Sequence, residues 1–578
     1  MKKEKRLKGI VVSSGIAIGK VFILEREGDL VIPVHKIPKE NIKKEIERYK
    51  RSLEKTKNEL FSTKERILKS LGKSHVDLVD AYIKILDDRL FTHDVIRMIE
   101  EEQCTAEFSV SSALNKVIQM FERSGDDYFR GRMIDMKDVG KKLLRNLLEK
   151  KRKSMEKIMP YHIVVAATLD PHDVLILKER NCAGFILEMG TKTSHVALAA
   201  QGLGITSVVG LKDITNEEIE DEDDIILDGL QGIVILHPTQ ETLQEYKKLY
   251  EKLIKEKEEL IKLKKLKTET QDHHKIDLLC NIDLPKEVDK VIESSAEGIG
   301  LFRTEYQYTD RDSLPTEDEL YEDYNFVAQK VYPHPVVIRT FDIGADKLSQ
   351  LGLEGVVKEK VPTLGLRGVR LALKYPEIFK TQIKAILRAS SKGNVKIMFP
   401  MITKVEEIDE IKKIIQEAKH ELKEKKVNFD NNIPIGVMIE TPSAALTCDV
   451  IVKKVDFISL GTNDLIQYTL AVDRFNENVA DLFDPLHPSV LNLIKHVVDV
   501  AHKKNKIVSI CGEMAADTMF TKILIGLGID QLSVPPAVVL KIKKIICETN
   551  YYEAKELVEE ILRCESSDAI LEILKQEK

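Results

Sequence analysis

The sequence has no run of about 18 consecutive apolar residues, so it predicts no membrane-spanning helix. Its 7 cysteines are scattered and form no Cys-x-x-Cys pair, which argues against a disulfide framework and fits the reducing cytoplasm. Lys and Arg (89) nearly balance Asp and Glu (95), and the net charge of -6 gives no general reason to expect nucleic acid. The basic start is followed by a short, broken apolar run, which makes a poor signal peptide.

The patterning that is present predicts a multidomain α/β protein. Residues 8–24 read as strand, glycine turn and strand, and β-rich sequence returns at 160–237. Between them, apolar residues recur every three or four positions, which predicts amphipathic helices with breaks near Gly72, Asp87-Asp88 and Gly125. We therefore predict one α/β domain, 1–35 and 152–238, with a helical bundle inserted at 36–151. The Lys/Glu-rich segment 239–270 predicts a helical linker.

Residues 271–578 contain eight short apolar runs, most of them followed by helical patterning. The runs are Ile276–Ile282, Gly298–Phe302, Val336–Arg339, Val395–Phe399, Ile435–Ile439, Phe457–Leu460, Ile507–Ile510 and Gln531–Val534. Alternating strands and helices of this length predict a (β/α)8 barrel, which the amphipathic segment 541–578 would flank. Catalytic groups of such barrels lie at the carboxyl ends of the strands, and the residues that follow these runs are strongly polar and charged.

One histidine stands in a turn that suits an anion. Gly190-Thr-Lys-Thr-Ser-His195 lies between an apolar run and a small-residue segment, a pattern of strand, tight turn and helix start. Thr193 and Ser194 are N-cap types, so His195 would fall in the first helical turn, where backbone N–H groups are free to bind an anion. Taken alone the pattern also fits a cap or surface histidine, so the hypothesis that His195 accepts a phosphoryl group depends on the barrel.

The residues after the barrel runs converge on one chemistry. Arg303 and Arg339 can hold phosphate oxygens with their forked donors. Glu440 and Asp464 offer hard oxygen ligands that suit Mg²⁺. Cys511, at a strand end, can donate a proton to an enolate, although an inert buried thiol is the usual interpretation.

Two further residues of this rim, Asn463 and Arg474, can fix a carboxylate. A small phosphorylated carboxylic acid therefore fits the set. Phosphoenolpyruvate fits best, because its enol leaving group needs a metal for the oxyanion and a proton on carbon.

At this point the chain resembles a known family, Enzyme I of the bacterial sugar phosphotransferase system, a phosphoenolpyruvate–protein phosphotransferase. The resemblance covers essentially the whole chain, in order. The matching motifs are G-x-K-T-S-H (190–195), G-I-G-L-F-R-T-E (298–305), R-T-F-D-I-G-A-D-K (339–347), L-G-L-R-G-V-R (364–370), I-M-F-P-M (397–401), G-V-M-I-E-T-P-S-A (436–444), L-G-T-N-D-L-I-Q-Y (460–468), A-V-D-R (471–474), C-G-E-M-A (511–515) and the helical stretch 126–146.

The resemblance implies roles for the site residues. His195 would be the phosphoryl acceptor, with Thr193 and Asp135 orienting its ring. Lys347 and Arg367 would support the phosphate. The remaining roles follow those given above: phosphate binding by Arg303 and Arg339, Mg²⁺ binding by Glu440 and Asp464, substrate contact by Asn463 and Arg474, and proton donation by Cys511.

The resemblance also implies partners and movement. The helical insert would bind HPr, a small histidine-containing phosphocarrier protein, and the barrel would form a homodimer. Because His195 and the barrel rim belong to different domains, the histidine domain would swing between the barrel and HPr. The chain departs from the family pattern at four positions: Thr191 replaces a glycine, Gln201 an arginine and Tyr82 a histidine, and Val361-Pro-Thr363 replaces Asn-Pro-Phe.

Four alternatives stay open at this stage. A regulatory, nitrogen-type Enzyme I paralogue commonly carries an extra N-terminal sensor domain, whereas this sequence starts at the hairpin, which favours the sugar system. A pyruvate-phosphate dikinase or phosphoenolpyruvate synthase would need a nucleotide-binding domain. A Mg²⁺-dependent barrel lyase would leave His195 without a role. A metabolite-sensing scaffold without activity is the non-enzymatic alternative, and the complete set of rim residues argues against it.

Overall fold

The computed structural model describes residues 2–25, 35–70, 76–124, 136, 139–148, 155–169, 171–191, 194–212, 214–216, 219–309, 311, 313–345, 362–474, 476 and 478–577. The chain divides into two units, Met1–Lys255 and Glu256–Lys578. Among the described residues, no helix combines the length and the apolar character that crossing a membrane requires.

The first unit contains a mixed eight-stranded sheet in the order β1-β8-β7-β3-β4-β5-β6-β2. Strands β3 to β6 run parallel to their neighbours within that block, and the flanking pairs are antiparallel. Every residue of β4, β5 and β6 is buried, as expected for parallel strands covered on both faces. The strands are β1 (Lys5–Lys8), β2 (Ile10–Ser13), β3 (Ile16–Glu25), β4 (His162–Ala166), β5 (Gly184–Leu187), β6 (Ser207–Val209), β7 (Asp224–Asp228) and β8 (Ile233–Leu236).

Helices Pro171–Glu179 and His195–Leu203 cover one face of this sheet, where their apolar residues join those of β4 and β5 in one core. The helical part of the unit has a core of its own, in which the Tyr49 hydroxyl donates to the Phe91 carbonyl at 2.6 Å. Leu203 belongs to both cores, so the bundle packs on the helices of the sheet. The helices of the bundle are Ile42–Ser70, Val76–Asp87, Val95–Glu102, Ala106–Ser124 and 139–147, with a π-helical turn at Leu90–Asp94.

Helix Val76–Asp87 ends at the predicted Asp87-Asp88 break. The other two predicted breaks, Gly72 and Gly125, lie outside the described residues.

The second unit is built on eight strands that close into a barrel, with every pair of neighbours parallel. Each strand begins and ends within one residue of a predicted run. The predicted fold class, a multidomain α/β protein with a (β/α)8 barrel, is therefore confirmed. The strands are β9 (Asp277–Ile282), β10 (Ile299–Phe302), β11 (Val336–Arg339), β12 (Val395–Phe399), β13 (Ile435–Ile439), β14 (Phe457–Gly461), β15 (Val508–Cys511) and β16 (Gln531–Val534).

Some of the helices around the barrel strands begin at a side-chain cap. Thr316 accepts a hydrogen bond from the Glu319 N–H while Glu319 accepts from the Thr316 N–H, a reciprocal cap that satisfies two free donors. The helices are Gln240–Lys262, Val288–Ser294, Glu317–Val331, Val369–Lys374, Pro376–Ala389, Val405–Glu424, Pro442–Leu446, Cys448–Ile451, Thr462–Leu470, Pro488–His502, Glu513–Ala516, Thr521–Leu527, Val539–Glu548, Tyr551–Ile561 and Ser567–Gln576.

The division between the two units falls inside helix Gln240–Lys262, within the segment predicted as a linker. The predicted domain boundaries themselves stay predictions.

Candidate active site

A cavity of about 410 Å³ opens where the barrel strands end at their carboxyl termini. It collects polar groups from strands and loops that are far apart in sequence. The charged and polar residues that line it include Asn281, Asp283, Arg303, Arg339, Asp342, Arg367, Glu440, Asn463, Asp464, Arg474, Cys511 and Glu513. The four residues on which the barrel hypothesis depends, Arg303, Arg339, Glu440 and Asp464, all lie on this one cavity.

Arg339, the last residue of β11, is held by carboxylates yet keeps one free donor. Its Nη2 donates to Glu305 Oε1 at 2.9 Å, and its Nη1 lies 3.3 Å from Asp342 Oδ2. Its Nε is buried and has no hydrogen-bond partner among the described residues. Because a buried N–H without a partner is costly, the orphaned donor of this 8 % exposed arginine fits an anionic oxygen bound in the cavity.

Arg303, directly after β10, supplies the second forked donor. Its Nη1 donates to Asp283 Oδ1 at 3.0 Å, and about a third of its side chain is exposed. The guanidinium is therefore less buried than that of Arg339, and a ligand entering the cavity can reach it.

Three carboxylates meet on the same cavity. One oxygen from each of Asp342, Glu440 and Asp464 lies within 4.8 Å of the others. Glu440 is 1 % exposed, and its Oε1 accepts a hydrogen bond of 2.6 Å from the Met401 N–H. Burial, and after it the charges of Asp464 and Asp342, raise the pKa of Glu440 well above its usual range. Three clustered carboxylates, two of them buried, with this mutual repulsion fit a bound hard cation.

Arg367 stands between two of these carboxylates. Its Nε and Nη2 donate to the two oxygens of Asp342, both at 2.8 Å, and its Nη2 and Nη1 lie 3.2 and 3.4 Å from the oxygens of Asp464. Burial acts to raise the pKa of Asp342, but Arg339 and Arg367 together hold that pKa below its usual value. Asp342 is thus an ionised carboxylate that organises two arginines.

Two glycines allow the close approach of these groups. A Cβ at Gly461 would lie 2.8 Å from Glu440 Oε2, so any side chain there would displace the carboxylate. Gly512 has φ +104°, and a Cβ there would lie 2.6 Å from Thr462 Oγ1. Both positions follow or end a barrel strand, where the backbone itself forms the cavity wall.

Asn463 and Arg474 also line the cavity, and both contact the Glu513 carboxylate. The Asn463 Oδ1 accepts from the Glu513 N–H at 3.0 Å, and the Arg474 Nη1 lies 3.3 Å from Glu513 Oε1. The nearby Cys511 is 2 % exposed, and its thiol donates to the Leu460 carbonyl at 3.5 Å. Burial raises the pKa of the Cys511 thiol, which therefore carries its proton at neutral pH.

Family models match three segments of the chain. These are PEP-utilising enzyme, N-terminal (8–132), PEP-utilising enzyme, mobile domain (158–232), and PEP-utilising enzyme, PEP-binding domain (257–551). The phosphoenolpyruvate-protein phosphotransferase of Haemophilus influenzae is 38% identical over 571 residues, which is 99% of this chain and 98% of that protein. Proteins of the same name from Listeria innocua, 39% identical, and Bacillus subtilis, 38% identical, each match over 99% of both chains.

The chain belongs to the phosphoenolpyruvate–protein phosphotransferase family. The predicted family and the predicted enzyme class are therefore confirmed. The segment matched as the PEP-binding domain contains every residue that lines the cavity.

In this phosphotransferase, His195 belongs to the first unit. Ser194 is the N-cap, its hydroxyl accepts from the Ala197 N–H at 3.3 Å, and His195 is the first residue of the helix, as the sequence predicted. Gly190, with φ +140°, turns the chain after β5. Four of the predicted positions, Thr193, Asp135, Lys347 and Val361, and the side chain of His195 lie outside the described residues.

Two residues of the site received no role from the sequence. Glu305 uses one oxygen, Oε1, to accept from both Arg339 Nη2 and the Asp342 N–H, at 2.9 and 2.8 Å. Asp342 binds Arg367 and approaches Arg339. Both acids follow barrel strands, so their positions in the sequence indicated a site, but only the folded structure shows that they bind arginines.

Proposed function

We propose that the chain transfers the phosphoryl group of phosphoenolpyruvate to His195, releases pyruvate, and passes the group to a histidine of HPr to energise sugar uptake. The observation that carries the proposal is the barrel cavity, where Arg303 and the orphaned Nε of Arg339 meet three clustered carboxylates. A phosphate ester with a carboxylate needs this mixture of fixed cations and cation-binding oxygens.

The substrate's two anionic ends would find different partners. The phosphate takes the free donors of Arg303 and Arg339, with Arg367 and Lys347 in support. The carboxylate would be held by Asn463 and Arg474, which line the same cavity. Fixing both ends aligns the phosphorus with an attacking group, and phosphoryl transfer depends mainly on such positioning and charge neutralisation.

Glu440 and Asp464 are the proposed ligands of Mg²⁺, the divalent ion that suits carboxylate oxygens beside a phosphate. When bound, the ion would neutralise negative charge on the enol oxygen and the phosphate. Asp342 would contribute mainly by holding Arg339 and Arg367, because its oxygens are already engaged by their guanidinium groups.

The chemical step would exchange one bond for another. The bond between phosphorus and the enol oxygen breaks, and a bond between phosphorus and His195 Nε2 forms, with Thr193 and Asp135 orienting the ring. The departing enolate takes a proton on carbon from the Cys511 thiol and becomes pyruvate. The thiolate then regains a proton from solvent. A thiol that burial keeps protonated suits this task.

His195 lies in the first unit and the cavity in the second, so transfer would require the two to meet. We propose the segment 239–270 and the connections of the helical insert as hinges between a histidine domain (1–35 and 152–238), an HPr-binding insert (36–151) and the barrel (271–578). A homodimer through the barrel and a cytoplasmic location, supported by the scattered cysteines, complete the proposal.

Radiolabelled phosphoenolpyruvate tests the proposal. The wild-type chain should acquire acid-labile phosphate, the His195→Ala chain should acquire none, and the label should chase onto HPr. A chase onto a nitrogen-type carrier instead would identify a regulatory phosphorelay. Turnover of phosphoenolpyruvate without any labelled histidine would contradict the proposal and indicate a lyase.

A further inference from the structure

Arg367 connects to its two carboxylates unequally. Its contacts to Asp342 are short and parallel, 2.8 Å from Nε and 2.8 Å from Nη2, the fork geometry of a strong ion pair. Its contacts to Asp464 are longer, 3.2 and 3.4 Å. The Asp342 side chain is 1% exposed, whereas that of Asp464 is 14% exposed. One edge of the guanidinium is thus anchored, and the other rests on Asp464 more loosely.

The backbone at Arg367 is paired with the segment that follows Asp342. Gly344 and Arg367 form an antiparallel bridge, and the Ala345 N–H donates to the Leu366 carbonyl at 3.0 Å, so Arg367 is tied to the segment that follows Asp342. Gly368 has φ +56°, and a Cβ there would lie 3.1 Å from Asp342 Oδ1. These contacts hold the backbone of Arg367 beside Asp342, whereas Asp464 belongs to helix Thr462–Leu470 and meets Arg367 through side-chain atoms.

Both oxygens of Asp464 contact the guanidinium of Arg367, and one of them also lies within 4.8 Å of an oxygen of Glu440 and an oxygen of Asp342. A divalent ion bound to Asp464 would sit at about 2.1 Å from a carboxylate oxygen. At that distance the charge of the ion would repel the guanidinium. The ion would also use the Asp464 oxygen lone pairs that accept the guanidinium N–H groups. The two positive groups therefore cannot use Asp464 fully at once.

We propose that Arg367 and the divalent cation compete for Asp464, so that cation binding releases one edge of the guanidinium into the cavity while Asp342 keeps the other. The inference rests on the cation site proposed above. The released edge faces the space assigned to the phosphate, so cation binding prepares an additional donor for the anion. Reciprocity then requires that an anion which draws Arg367 away from Asp464 tightens cation binding.

Titration of the full-length chain with Mn²⁺ in the absence of substrate tests the competition. Electron paramagnetic resonance measures the concentration of free Mn²⁺. Arg367→Gln should bind Mn²⁺ about tenfold more tightly than wild type, since one charge-assisted contact is removed. Arg367→Lys should also tighten binding, by about threefold or more, since the point charge stays but the fork that spans two carboxylates is lost. Because Lys still pairs with Asp342, this variant guards against misfolding of the Gln variant.

Arg303→Gln is the matched control. Arg303 lines the same cavity and also lowers the pKa of Asp342, but its contact is to Asp283, outside the three carboxylates. If losing any cavity cation tightens Mn²⁺ binding equally, or if Arg367→Lys binds as wild type does, the competition is overturned. Failure of the cation site itself gives a different result, namely Mn²⁺ binding that is absent in wild type or survives in Glu440→Gln.

Discussion

Glu440 and Cys511 are two buried acids of one cavity, and burial raises the pKa of each. The Glu440 carboxyl is 1 % exposed beside Asp342 and Asp464, so its ionisation is costly until a cation is present. The Cys511 thiol is 2 % exposed and faces the arginines, which lower its pKa less than burial raises it. The first environment suits the proposed cation ligand, and the second suits the proposed proton donor.

Replacing the thiol should separate binding from chemistry. We expect Cys511→Ser to bind phosphoenolpyruvate about as wild type does but to turn over about a hundredfold more slowly, because a positioned proton donor is worth that much. Steady-state pyruvate release measures the effect. Cys564→Ser, at a partly exposed thiol of the second unit outside the cavity lining, should turn over normally. Wild-type turnover in Cys511→Ser would refute the proton-donor role.

Glu440 also makes stability depend on pH. Since the pKa of Glu440 is higher in the folded than in the unfolded chain, unfolding releases a proton, and folded stability falls as pH rises between the two pKa values. In EDTA, Glu440→Gln should therefore become more stable than wild type as pH increases from about 5 upward, by about 1.4 kcal/mol per pH unit within that window.

Urea unfolding of the barrel at several pH values measures this difference. Glu513→Gln removes another cavity carboxylate whose side chain is 77% exposed, and it should follow wild type at every pH. A Glu440→Gln variant that is less stable than wild type at alkaline pH would show that the ionised carboxylate is well compensated in the fold.

At the scale of elements, the strands were predictable and the pairings around the cavity were not. Short apolar runs bounded by polar residues give the eight barrel strands to within one residue, because buried parallel strands are apolar throughout. The N-cap at Ser194 followed from residue type. Arg367 and Asp342, however, meet only because the bridge of Gly344 to Arg367 folds one segment onto another, and no local pattern encodes that contact.

The sequence pattern also did not predict the π-helical turn Leu90–Asp94, which lies in a region predicted simply as amphipathic helix. Its periodicity differs from that of an α-helix by too little to appear in an apolar pattern five residues long.

One helix pair of the barrel unit depends on a glycine. Helix Thr521–Leu527 packs against helix Tyr551–Ile561, and a Cβ at Gly526 would lie 2.0 Å from the Ala554 carbonyl oxygen. Because a backbone atom cannot move aside, Gly526→Ala should separate the helices and cost about 1–3 kcal/mol of unfolding free energy. Urea denaturation measures this loss of unfolding free energy. Gly202→Ala is the control, since a Cβ there meets nothing within 4 Å and alanine favours the helix by up to about 1 kcal/mol.

At the scale of the whole molecule, the two halves of the proposed reaction belong to different units. Every residue that lines the cavity lies between Asn281 and Pro536, and His195 starts a helix of the first unit. In the proposed reaction, this division would let one imidazole receive the phosphoryl group at the cavity and pass it on elsewhere, provided that substrate binding does not itself need the imidazole.

Binding measured on the full-length His195→Ala chain tests that proviso. With Mn²⁺ present, its affinity for phosphoenolpyruvate should stay within about twofold of wild type by calorimetry, because every residue that lines the cavity belongs to the second unit and sites without shared partners act independently. Phosphoryl labelling should be lost completely. Arg339→Gln, which removes the buried guanidinium that β11 aims into the cavity, should instead weaken binding by about a hundredfold, since it also leaves Asp342 and Glu305 short of a partner. Loss of binding in His195→Ala would mean that the first unit completes the cavity, and the barrel would then no longer suffice to hold the substrate.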